Sequence, residues 1–210
     1  MIYCFGDSHA SLYSGQDKIS QYWPNKWGDK DPRFRSCNLS ARLAYNLNNP
    51  SHYFRLDLGA ILSRIEKGSQ IAVILGEIDC RMHIYQNAVK NEITLLESID
   101  NCLNNYIDGL FQIERMGFSV AVQEPTIVCK QEAIFATDLS WNKVHITALM
   151  FAQRLRERLR NTTIKVFGIT NLFVQNKWYL DKTYYRDMEH LSQKCLPYMV
   201  ESMKEVGINV

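Results

Sequence analysis

The sequence predicts one α/β domain over residues 1–210, built on a mostly parallel sheet. Three observations carry that prediction. Short apolar runs alternate with longer amphipathic stretches, the pattern of strands joined by crossover helices. The clearest run, Ile71-Ala72-Val73-Ile74-Leu75, is apolar throughout and stops at Gly76, as a strand buried on both faces does. A chain of 210 residues that is 46% apolar and 22% charged can also bury a sizeable core.

The elements follow in order. Ile2 to Phe5 reads as the first strand. Tyr13 to Ser36, aromatic, charged and broken by Pro24 and Pro32, reads as a long irregular loop. Asn38 to Leu47 has a helical spacing through Leu39, Leu43 and Leu47. Tyr53 to Leu58 reads as a strand and Ala60 to Ile65 as a short helix. Asn91 to Met116 repeats apolar residues at helical period from Ile93 to Ile113, and Gly117 is a fitting stop. Phe118 to Val122 is the next strand, Asn142 to Leu159 a helix, Ile164 to Phe167 a strand and Cys195 to Val206 the last helix.

Composition excludes several classes. A formal net charge of +2 gives no basic face for nucleic acid or a membrane surface. No segment approaches the roughly 20 apolar residues of a membrane span, and the N-terminus lacks the pattern of a secretory signal. The six cysteines are scattered, without the spacing of a zinc site, so no metal is expected and buried thiols in a reducing cytoplasm are. Nothing in the chain sets an oligomeric state.

Chemistry concentrates at the strand ends. Gly6-Asp7-Ser8-His9 follows the first strand and presents a serine hydroxyl at a tight turn. A serine is barely nucleophilic unless an imidazole takes its proton and a carboxylate orients that imidazole. Asp187-Met188-Glu189-His190, near the other end of the chain, supplies both groups. Gly76-Glu77-Ile78-Asp79 closes the central strand, on the sheet edge where ligands of such sheets sit. Each motif alone also fits an ordinary turn or helix start.

Taken together, the Gly-Asp-Ser turn, the Gly-x-x-Asp turn and the Asp-x-x-His pair resemble the SGNH (GDSL-type) hydrolase superfamily along the whole chain. The resemblance implies a three-layer α/β/α, flavodoxin-like fold and serine ester hydrolysis or acyl transfer without a cofactor. It makes Ser8 the nucleophile, His190 the base and Asp187 its orienting partner. It further implies an oxyanion hole built from the nucleophile's N–H, a glycine N–H of a second motif and an asparagine side chain. Here Ile78 stands at that asparagine position, marking a variant with Gly-Glu-Ile-Asp-Cys-Arg, and isoleucine donates nothing.

Replacement donors or substrate contacts are sought among Arg81, His83, Asp7, His9, Glu77, Asp79 and Ser40. Arg81 offers a guanidinium to an oxyanion or an anionic substrate; an internal bridge to Asp79, Glu77 or Asp7 is the alternative. The second motif falls either at Asn38-Leu39-Ser40-Ala41 or at Leu58-Gly59-Ala60; Ser40 offers a backbone N–H and a hydroxyl and Asn38 the missing amide, with a helix N-cap the favoured role for either. His9 is a substrate-side or a structural residue. Glu124, before Pro125 at a strand end, either lines the cleft or, as the favoured reading, is a solvated loop carboxylate. Tyr22, Trp23, Trp27 and Phe34, interleaved with Lys26, Lys30, Arg33 and Arg35, suit a sugar, nucleotide or acyl chain, or equally cover the core or form a subunit contact. Phe173, Trp178, Tyr179, Tyr184 and Tyr185 either wall the cleft or dock the loop before Asp187. Two functions follow: an esterase or acyl (including O-acetyl) transferase acting on a small-molecule or carbohydrate ester, or a non-catalytic domain binding a glycan or metabolite.

Overall fold

A computed structural model describes residues 1–19, 27–49, 51–131 and 137–210, and of residues 53–56 the backbone alone. Tyr22, Trp23, Pro24 and Lys26 lie outside the described residues. Five strands form one sheet: β1 (Ile2–Gly6), β2 (Phe34–Asn38), β3 (Gln70–Ile74), β4 (Ser119–Gln123) and β5 (Lys165–Phe167). The order is β2-β1-β3-β4-β5 and every pairing is parallel. Alternate residues serve opposite faces. Phe5, Ile71, Val73, Val120 and Val122 join one buried cluster, while Ile2, Cys4, Ala72, Ile74 and Ala121 join the other. A sheet buried on both faces must be covered by helices on both, which gives three layers.

The first face is covered by α1 (Tyr53–Leu62), α2 (Ile84–Lys90), α3 (Leu95–Arg115) and α4 (Trp141–Leu159). In α3, Ile99, Leu103, Tyr106, Leu110 and Ile113 are all fully buried at spacings of three and four residues. Each such side chain stabilises the fold by roughly 1.5–3 kcal/mol. A reciprocal Thr94–Glu97 capping box starts the helix. The second face is covered by α5 (Thr170–Gln175) and α6 (Leu196–Glu205), through Phe173, Met199, Val200 and Met203.

Four elements differ from the sequence expectation. The stretch expected as loop over Tyr13 to Ser36 opens inside a 3-10 turn, Ser8–Ser14, and returns to the sheet as the edge strand β2. In β2 the Ser36 Oγ donates to Ala10 O at 2.6 Å. The helix expected from Asn38 is a loop with one 3-10 turn, Ala44–Asn46, because the Asp79 carboxylate accepts the N–H groups of Ala44 and Tyr45. The strand expected at Tyr53 to Leu58 is α1, whose Leu58, Ile61 and Leu62 pack on the core as a helical face. The long helix expected from Asn91 begins only at Leu95, after the separate helix α2.

Candidate active site

The site is built on the carboxyl edge of the sheet. β1 ends at Gly6, where an added Cβ would lie 1.7 Å from the Ile74 carbonyl oxygen of β3, so only glycine lets the strands approach. Asp7 N donates to Ile74 O at 3.1 Å, and the Asp7 carboxylate accepts from His9 N at 2.9 Å. This cap turns the chain directly into the Ser8–Ser14 3-10 turn, with Ser8 at its open amino end.

The loop after α5 brings the other partners. Tyr185 pairs with Leu191 across a β-bridge, and Arg186 N donates to His190 O at 2.8 Å, closing a tight loop. Within it Asp187 Oδ1 accepts from the N–H groups of Glu189 (3.0 Å) and His190 (2.8 Å). His190 Nδ1 lies 2.9 and 3.0 Å from the two Asp187 carboxylate oxygens, and Nε2 lies 2.7 Å from Ser8 Oγ. With the carboxylate as acceptor, Nδ1 carries the proton and Nε2 offers its lone pair to the hydroxyl. Burial alone would raise the Asp187 carboxyl pKa. The His190 ring and N–H, with Arg186, outweigh it and hold the group well below the usual carboxylate range.

A charged cluster lies behind this line. The His9 ring stacks on His190 with centroids 4.6 Å apart, and His9 Nε2 is 3.2 Å from Glu77 Oε2. Arg81 grips the same carboxylate through Nε (2.7 Å) and Nη2 (3.2 Å), while its Nη1 stands 3.5 Å from Glu189 Oε1. Burial pushes the Glu77 carboxyl up, but the hydrogen bond and charge of His9 and then Arg81 bring it down to about 2. Burial dominates at Asp7, reinforced by the Glu77 charge, and raises its pKa well above normal. Glu189 is also raised by burial, against the pull of Arg81.

The remaining expected residues divide. Arg81 is committed to Glu77 and Glu189, the internal bridge that the sequence left as an alternative. Ile78 is 8% exposed, on a helical backbone. Asn38 ends β2 beside Gly6 in the strand register, and its Oδ1 accepts from Ser40 N at 2.7 Å. That bond occupies the Ser40 N–H. Ser40 itself adopts φ +67°, a left-handed conformation that favours glycine, at the turn after β2. The Asp79 carboxylate is taken up by Ala44 N, Tyr45 N and Cys102 Sγ, and with His83 it lines a separate cleft.

Glu124 is 2% exposed and paired with Arg156, which corrects its reading as a solvated carboxylate. Trp178 stacks on Tyr184 at 4.3 Å and Phe173 packs edge-on against Tyr185, so this aromatic cluster docks the loop that carries Asp187. Trp27 packs on Tyr3, and Phe34 on Tyr13, as core cover.

A narrow cleft opens beside Ser8 and His190, walled by Ser11, Gln123, Thr126 and Leu191. Sequence reasoning missed Ser11 and also Glu189; the position of Glu189 between Asp187 and His190 was its only signal. Among the described residues no group of three or more His, Cys, Asp or Glu side chains could hold a metal ion, and no helix is long and apolar enough to cross a membrane.

No protein-family model and no curated protein sequence matches the chain. Solved structures do. A catalytic mutant of the acetylxylan esterase Axe2 from Geobacillus stearothermophilus superimposes with a TM-score of 0.63 at 11% identity, over 99% of this chain and 94% of that one. The extracellular lipase of Streptomyces rimosus gives 0.58 at 13% identity, over 98% of both chains. A protein assigned to the G-D-S-L lipolytic family from Desulfitobacterium hafniense gives 0.58 at 14%, again over 98% of both. The all-parallel five-stranded sheet, its helices on both faces and these likenesses agree: the chain has the three-layer α/β/α fold of the SGNH hydrolase superfamily.

Proposed function

We propose that this protein is a serine esterase or acyltransferase of the SGNH type, acting through an acyl-Ser8 intermediate. One observation carries the reading. Residues 182 positions apart in sequence meet in one hydrogen-bonded line, Ser8 Oγ to His190 Nε2 at 2.7 Å and His190 Nδ1 to Asp187. Similarity of fold to an acetylxylan esterase and a lipase supports it.

In the first step Ser8 Oγ attacks the ester carbonyl carbon while His190 Nε2 takes the hydroxyl proton. Asp187, held ionised, fixes the ring and stabilises the imidazolium. The tetrahedral adduct collapses, and the departing alcohol takes the proton back from His190. Water then attacks the acyl-serine in an esterase; a sugar or metabolite hydroxyl does so in a transferase, with His190 as base again. The oxyanion meets the Ser8 N–H at the amino end of its turn. Ile78 adds no donor, and Arg81 is held back by Glu77. Loss of one such donor costs about 100- to 1000-fold in rate, so slow turnover of simple esters belongs to this reading.

The substrate we assign is a small acyl group on a carbohydrate or metabolite, and six buried free thiols fit a cytoplasmic setting. Hydrolysis of 4-nitrophenyl acetate by the wild type and by Ser8→Ala tests the mechanism: the variant is expected to fall to the uncatalysed rate. Ile78 favours the second reading, a binding domain on the same fold. Turnover in the wild type that matches Ser8→Ala would select it.

A further inference from the structure

We propose that the cleft beside Ser8 selects esters that carry an anionic group, a carboxylate or a phosphate, close to the scissile bond. The inference rests on the esterase reading for the word ester, and on the cleft itself for the charge. Lys18 and Arg186 both line the cleft, and none of the described residues lining it is acidic. Lys18 is exposed and has no hydrogen-bond or ion-pair partner among the described residues. Arg186 spends Nη2 on Asp187, and a guanidinium has further N–H donors on its other nitrogens.

The wall that carries Lys18 is held in place. Asp17 Oδ1 accepts from Gln193 N at 2.7 Å, and Gln193 Nε2 donates to Leu12 O and Gln16 O. The Asp17 carboxylate is thereby engaged with the backbone next to α6. Two cations thus line one cleft, where together they attract an anion.

An independent observation points to a ligand. Ser11 lines the same cleft, is 4% exposed, and its Oγ has no hydrogen-bond partner. His9 lines it too, 6% exposed, with Nδ1 unpartnered. Buried polar atoms left unpaired are rare in folded proteins because each carries an uncompensated desolvation cost. A polar ligand in the cleft satisfies the Ser11 hydroxyl, and its charge faces Lys18 and Arg186.

Binding to the Ser8→Ala protein, measured by calorimetry at low salt, tests this apart from catalysis. Three pairs of probes place the charge: 4-acetoxybenzoate against its methyl ester, 4-acetoxyphenyl phosphate against 4-acetoxyanisole, and 4-nitrophenyl hydrogen succinate against 4-nitrophenyl butyrate. At least one anionic probe is expected to bind about tenfold tighter than its neutral partner. Adding Lys18→Ala is expected to remove about fivefold of that preference, the size of one partly screened charge contact, and to leave the neutral probe unchanged. The preferred pair identifies carboxylate or phosphate, and acyl or alcohol side. Equal binding within all three pairs, or a preference that Lys18→Ala leaves intact, overturns the proposal. Wild-type turnover of the neutral esters meanwhile judges the esterase reading by itself.

Discussion

The residue that organises the site is Glu77, which neither touches Ser8 nor was a first candidate. Its carboxylate joins His9, which stacks on His190, to Arg81, which reaches Glu189. Removing one partner of a buried ion pair strands the other, at a cost of about 3–5 kcal/mol. Glu77→Gln is therefore expected to lower stability at pH 7 by about 3 kcal/mol, read from urea unfolding. The folded-state pKa near 2 lies below the ordinary 4.5. The contribution of the Glu77 charge is thus fully present above pH 4.5 and is lost as pH falls toward 2. The gap between wild type and Glu77→Gln should narrow over that interval. A gap that stays constant from pH 7 to pH 2 would deny the ionised pair.

Ile78 is the second decisive residue. If the missing amide donor limits the rate, Ile78→Asn should raise kcat on 4-nitrophenyl acetate by tenfold or more with little change in KM. A kcat that is unchanged in a folded variant would show that another group already does this work. The grouping of Ser8, Asp187 and His190 was open to a sequence reading because the side chains are chemically distinctive. The commitment of Arg81 was not, since a guanidinium beside Glu77, Asp79 and Asp7 has several partners and only packing chooses among them.

At the scale of elements, β1 and its turn carry most of the consequence. Gly6→Ala would drive a methyl group into the Ile74 backbone, 1.7 Å from its oxygen. The variant is expected to lose several kcal/mol or to misfold, and any folded fraction to lose activity, because β1 must part from β3 where Ser8 is presented. Normal circular dichroism, melting and activity in Gly6→Ala would show that the strand edge tolerates the shift.

Elements legible in the sequence were those whose burial fixes their pattern: β3 as an unbroken apolar run, α4 and most of α3 as helical stripes. β2 was illegible because it is an edge strand whose Ser36 and Asn38 are buried by hydrogen bonding rather than by apolar character. α1 was misread because Tyr53 to Leu58 alternates like a strand, while its Leu58, Ile61, Leu62 and Ile65 form the buried face of a helix and its exit.

For the whole molecule, the fold converts two distant motifs into one site. The amino-terminal turn is set by β1 and the carboxyl-terminal loop by aromatic docking through Trp178, Tyr184 and Tyr185, whose hydroxyl donates to Ile127 O at 2.8 Å. Ser8 comes from the first motif, and His190 with Asp187 from the second. The central claim is that this meeting activates Ser8. The most direct measurement is labelling with a fluorophosphonate, followed by peptide mass spectrometry, for the wild type and for folded His190→Ala. The account predicts one phosphonate per chain on Ser8 in the wild type, and labelling slowed at least 100-fold without His190. A wild-type Ser8 that stays unmodified, or one labelled equally fast in His190→Ala, would contradict it.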